Sequence, residues 1–210
     1  MEKISTDKMI KKAIRIKLVL TIAMILAIFY GCISSNDPYV FVDYSYEMMH
    51  HYRPHKAKEY IEKAITKFEE TGDKKGLADA YMAYGLYHKF GFYVPKDAVL
   101  DSVGHWDYSK RRLYTESIDY DKSEEYYRKA IQNFQDINSY EGLSRAYAVL
   151  ATLYQVKKQK DLMLASIDKA QNYYQKMKGQ DPKAESMLAL EKNQTLLDFL
   201  RELKKEAAAL

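Results

Sequence analysis

The feature that most constrains this chain is an ungapped internal repeat. Residues 56–88 read KAKEYIEKAITKFEETGDKKGLADAYMAYGLYH, and residues 122–154 read KSEEYYRKAIQNFQDINSYEGLSRAYAVLATLY. The copies lie 66 positions apart and agree at eleven of 33 positions, among them Tyr60/Tyr126, Lys63/Lys129, Ala64/Ala130, Phe68/Phe134, Gly76/Gly142, Leu77/Leu143, Ala80/Ala146 and Tyr81/Tyr147. A repeat of this length is one supersecondary unit that buries its apolar face only against its neighbours.

Helical spacing fills each copy. Tyr60, Ala64, Ile65 and Phe68 recur at steps of three and four, as do Leu77, Ala80, Tyr81, Tyr84 and Tyr87. Thr71-Gly72-Asp73 interrupts the pattern as a turn, so each copy reads as two antiparallel helices. Extended along the chain, this reading predicts an all-α protein with helices over 40–52, 56–71, 74–90, 120–137, 140–157, 160–178 and 183–207. Scarce Gly (8) and Pro (4) agree with it. Pro54 is expected to stop the first helix. Gly179 is expected to close the sixth, with Asp181-Pro182 opening the last, whose Leu190, Leu197, Leu200 and Leu203 would cover the end of the stack.

These units resemble the tetratricopeptide repeat (TPR). The best unit runs from Leu143 to about Lys176, with Tyr147, Leu150-Ala151 and Tyr154 in its first helix and Ile167 and Ala170 in its second. Met163, Gln175 and His88 depart from the family pattern. The resemblance implies a TPR-like α-solenoid over residues 40–210. In that family the first helix of each pair lines a concave groove. It therefore implies a groove formed by Asp79, Met82, Leu86 and Lys89 in one unit and Arg145, Ala148, Thr152 and Gln155 in the next.

The start of the chain differs in kind. Six Lys/Arg within residues 1–17 precede the uncharged stretch Leu18 to Tyr30, then Gly31 and Cys32. This is the layout of a secretory leader, and the 13 apolar residues fall short of the roughly 20 that span a bilayer. Cys32, the only cysteine, resembles the lipidated residue of bacterial lipoproteins, with Phe29 and Tyr30 departing from the usual motif. The expected organisation is a signal peptide at 1–31, a lipidated Cys32 with a linker to 39, and the helical domain. An uncleaved anchor is the alternative. Ile33 after the cysteine leans, by analogy with enteric lipoproteins, toward the outer membrane rather than the inner.

The leader also carries the whole formal charge of +4, since the remainder holds 27 basic and 27 acidic residues. A balanced domain has no overall basic excess to supply a face for nucleic acid, and none is expected as a partner. The chain contains no phosphate loop, H-E-x-x-H, C-x-x-C or G-x-S-x-G. His50, His51 and His55 read as surface histidines, and Asp101, Ser102 and His105 lie too close along one segment for a triad. No catalytic residue, metal or cofactor is expected.

Residues 91–119 separate the two copies and carry the only Trp, Trp106, with Tyr93 and Tyr108. These rings either pin the insert to the helices or form an aromatic rim for a partner. The expected function is a membrane-tethered, periplasm-facing module that holds a partner protein or peptide in its groove for envelope assembly or secretion. The alternatives are an immunity protein that neutralises a toxin or effector, and an enzyme or carrier with a pocket around Trp106.

Overall fold

The structure is a computed structural model and describes residues 36–51, 53–90, 118–184 and 195–209. Among them are seven helices and no strand: α1 Pro38–His50, α2 Pro54–Thr71, α3 Lys74–Phe90, α4 Tyr120–Asp136, α5 Tyr140–Val156, α6 Lys160–Gln180 and α7 Leu196–Ala207. Each helix packs on the next in sequence, most extensively in the pairs α1·α2, α3·α4 and α5·α6, while α1 also meets α3 and α5 meets α7.

The two copies fold alike in detail. Gly72 (φ 69°) and Asn138 (φ 52°), 66 positions apart, both take the left-handed conformation that ends a helix. The Asp73 N–H then donates to Phe68 O (3.1 Å) and the Ser139 N–H to Phe134 O (2.9 Å). The same two residues cap the next helix. The Gly76 N–H donates to Asp73 Oδ1 (3.0 Å), and the Gly142 N–H to Ser139 Oγ (3.2 Å).

One close approach recurs with them. A Cβ on Gly76 would lie 2.1 Å from the Phe68 ring, and one on Gly142 would lie 2.3 Å from the Phe134 ring. Each phenylalanine is buried (1% and 0% exposed) with its ring laid against glycine backbone. Only glycine admits that contact, so each pair sets how closely the two helices of its hairpin approach.

The α3–α4 connection shows where residues 91–117 enter. Between α5 and α6, the Gln159 N–H donates to Tyr154 O (2.9 Å). Between α3 and α4, the Asp119 N–H donates to His88 O (3.0 Å), and His88 is the counterpart of Tyr154. The insert thus departs from and returns to a hairpin turn that is already closed. This bond also sets a second register, 40 positions, between α4 and α6: Ser123/Met163, Tyr127/Ile167 and Ala130/Ala170 are all buried.

Two apolar clusters form the core. Val42, Met49, Ala57, Ile61, Ala64 and Phe68 join α1 and α2 to Ala80, Ala83 and Tyr84 of α3. Ala78 and Met82, on the other side of α3, begin the larger cluster that runs to Leu196, Leu200, Leu203 and Ala207 of α7. α3 and α5 are buried on several sides, which is why small residues crowd them.

Three boundaries differ from the sequence reading. Pro54 is the first residue of α2 rather than a stop for α1, where its missing N–H costs nothing. Gly179 does not close α6, which continues to Gln180; Asp181, constrained by Pro182, turns extended there (φ −136°, ψ 101°). Residues 181–184 are not helical, and α7 is Leu196–Ala207, opened by Thr195, whose extended backbone and side chain accepting from the Asp198 N–H form its cap. Leu200 and Leu203 are buried as expected and Leu197 half-buried, Leu196 joins them, and Leu190 lies outside the described residues.

Two outcomes are expected. Gly142→Ala should lower stability by about 1–2 kcal/mol in chemical denaturation, overpacking against Phe134 outweighing better helix propensity. Gly179→Ala, with nothing within 4 Å of its Cβ, should raise it by about 0.5–1 kcal/mol. Replacing residues 91–118 with Lys-Gly, after the two-residue turn at 157–158, should leave the helical circular-dichroism signal of the remaining helices and a single cooperative melt.

Candidate functional site

The predicted groove residues lie on α3 and α5, which side-chain bonds join directly. Arg145 Nη2 donates to Asp79 Oδ1 (3.1 Å), a pair between counterpart positions of the two copies, with Lys75 Nζ 3.4 Å from Asp79 Oδ2. Farther along, Lys89 Nζ donates to Thr152 Oγ1 (2.6 Å), whose own hydroxyl donates to Val149 O. Gln155 Nε2 donates to Glu206 Oε2 of α7.

The series extends to α1, whose Tyr39 hydroxyl donates to Asp73 Oδ2 (2.7 Å) at the start of α3. Tyr46, seven residues on, keeps 38% of its surface exposed. Its hydroxyl is pushed well above the ordinary phenol range, first by burial and then by Asp79, with Arg145 opposing. Side chains of α1, α3, α5 and α7 are therefore tied to one another in order.

Two predicted members of the groove are core instead. Ala148 has no exposed surface and Met82 keeps 7%, because α3 and α5 have neighbours on several sides. Asp79, Leu86, Lys89, Arg145, Thr152 and Gln155 are half-buried. Tyr39, Tyr46 and Glu206 were missed, since α1 and α7 fall outside the repeat from which the face was read. The spacing of Tyr39 and Tyr46 on α1 was the available signal. Cys32, Tyr93, Trp106 and Tyr108 lie outside the described residues.

Lys89 differs from its neighbours on this face. Arg145 has Asp79 and Glu141 near it, whereas among the described residues Lys89 meets the Thr152 hydroxyl and, at 5.5 Å, the Phe90 ring, with no carboxylate beside it. Desolvation by burial pulls its ammonium down to about 8 from the usual lysine range. A cation held without an opposite charge in a half-buried place is a destabilising feature, and residues kept at such a cost mark functional sites.

Two further concavities occur among the described residues. One, of about 300 Å³, opens between α4 and α6 over α5. The other, of about 670 Å³ and wider open, lies along α2 beside Phe41 and His55. No described group of three or more His, Cys, Asp or Glu could hold a metal ion. No helix among the described residues is long and apolar enough to cross a membrane. Comparison with protein-family models, curated proteins and solved structures finds no match, so the site is read from this chain alone.

Lys89 gives a signed pH test. Its folded-state pKa lies below the unfolded value, so protonation favours the unfolded chain, and its stabilising contribution grows as pH rises from about 8 toward 10.5. At pH 7 the charged form is a cost. Lys89→Met should raise the thermal midpoint by several degrees at pH 7. That gain should shrink steadily when melts are repeated up to pH 10.

Proposed function

We propose that the chain is a TPR-like α-solenoid that holds a partner protein or peptide across the face shared by α1, α3, α5 and α7. It performs no chemistry of its own. The proposal extends to a lipoprotein tethered through Cys32 to the cell envelope, outer membrane in preference to inner, with the helical domain facing the periplasm and serving envelope assembly or secretion.

One observation carries this reading: the ordered series of side-chain bonds Tyr39–Asp73, Asp79–Arg145, Lys89–Thr152 and Gln155–Glu206, which links alternate helices of the chain. In a stack of antiparallel pairs, alternate helices are the ones that share a face. The face mixes phenol rings, paired charges and a half-buried lysine with no carboxylate partner among the described residues, and such mixed surfaces suit polypeptides. The charge balance outside the leader and the absence of catalytic motifs support the same choice over nucleic acid or catalysis.

The partner's contact at Lys89 should be anionic or hydrogen-bond accepting, because a desolvated ammonium recovers most from such a group. Tagged full-length chain, cross-linked in its own cells, should capture a defined partner. Lys89→Glu should reduce that capture at least ten-fold while the thermal midpoint stays within a few degrees. Undiminished capture of the same partner by Lys89→Glu would remove this face from the proposal.

A further inference from the structure

The three outer helices α2, α4 and α6 share a position at which one of them breaks the pattern. In the registers set by the turns, Tyr60 of α2 corresponds to Tyr126 of α4 and to Ser166 of α6. Three residues later stand Lys63, Lys129 and Lys169. On α2, the Tyr60 ring packs on Phe41 and Tyr44 of α1 (6.0 and 5.5 Å), with Lys63 Nζ 5.7 Å from its centroid. On α4, the Tyr126 ring stacks on Tyr84 and His88 of α3 (4.4 and 5.5 Å), with Lys129 Nζ at 4.9 Å.

The third unit keeps the lysine and lacks the ring. Ser166 replaces the tyrosine, and its hydroxyl donates only to Leu162 O (2.7 Å). Leu150 stands where Tyr84 does. Lys169 lies 5.2 Å from the Tyr147 ring centroid, as Lys129 lies 5.8 Å from that of the counterpart Tyr81. The result is the cleft of about 300 Å³, floored by Tyr147, Leu150 and Tyr154 and walled by Ile131, Leu162 and Ser166. Leu162, at its rim, is 46% exposed.

We infer that this cleft receives an aromatic side chain, of tyrosine type, from a partner polypeptide, in the place that Tyr126 occupies in the preceding unit. The volume is at the small end for ligand pockets and suits one ring rather than a larger molecule. A lysine over the ring face adds a cation–π attraction, and a buried aromatic anchor is the usual centre of a protein interface. By helical spacing, Tyr147, Leu150 and Tyr154 lie on the side of α5 opposite Arg145, Thr152 and Gln155. The inference therefore does not depend on the groove proposal.

The test uses the full chain with methyl-labelled Ile and Leu, and p-cresol as the tyrosine side-chain probe. Saturable shifts are expected at Ile131, Leu150 and Leu162. Ser166→Tyr should fill the cleft, keep or raise the thermal midpoint and abolish the shifts, while Ser166→Ala should retain them. Lys169→Met should weaken binding about two- to five-fold. Lys89→Glu should leave it unchanged, which separates this cleft from the groove. Absence of saturable shifts, undiminished binding in Ser166→Tyr, or unfolding of that variant would each overturn the inference.

Discussion

The packing of a phenylalanine ring on glycine backbone is the contact on which the arrangement of helices depends. Phe68 on Gly76 and Phe134 on Gly142 bring two antiparallel helices closer than any side chain at the glycine would permit. That approach fixes the hairpin, and the hairpin fixes which faces of α3 and α5 remain for other helices. Ala64, Ala80, Ala130 and Ala146, all without exposed surface, follow from the same demand for close backbones. Nothing about the contact is local to one copy. The left-handed residue, the cap and the carbonyl that closes the turn repeat with it, so a single packing solution is used twice.

That solution also explains how the chain carries a long insert inside a hairpin. His88 O accepts from the Asp119 N–H just as Tyr154 O accepts from the Gln159 N–H. The helices on either side are already held by Gly85, whose backbone the Tyr127 ring covers, and by the Ser123 hydroxyl on Gly85 O (2.8 Å). Chain added between two fixed ends costs only the slowly growing entropy of a longer loop. Its place at the end of α3 puts its root next to Lys89 and Phe90, at one end of the face that α3 and α5 share.

Most of the helix order was legible before any coordinates, because periodicity and the repeat speak directly about packing. The failures have a common cause. Glycine and proline act as local punctuation only where the neighbouring backbone lets them: Gly179 is ordinary helix and Pro54 begins a helix. The site was less legible. Asp79 and Arg145 could be placed on a shared face, but their pairing with each other could not. Ala148 and Met82 have the right spacing for that face and are buried because α5 and α3 have partners on several sides, which spacing on one helix cannot express. Tyr39 lies on α1, outside the repeat, so the repeat's register carries no information about its bond to Asp73.

The positions where the copies agree and those where they differ divide along physical lines. Agreement concentrates at Ala64/Ala130, Phe68/Phe134, Gly76/Gly142, Ala80/Ala146 and Tyr81/Tyr147, where changing one member would disturb packing that the other retains. Differences concentrate where a unit meets something beyond itself. Asp79 faces Arg145, so two copies of one position carry opposite charges and attract across the boundary, whereas identical charges there would repel. Lys89 corresponds to Gln155, so only one copy holds a desolvated cation, and the other reaches Glu206 of the terminal helix. Ser166 stands where Tyr126 does, so one cleft is closed by its own ring and the other is left open beneath a retained lysine. A duplicated scaffold becomes specific at such broken symmetries: the first joins the two copies to each other, and the others leave a polar group or a cavity that the repeat itself does not satisfy.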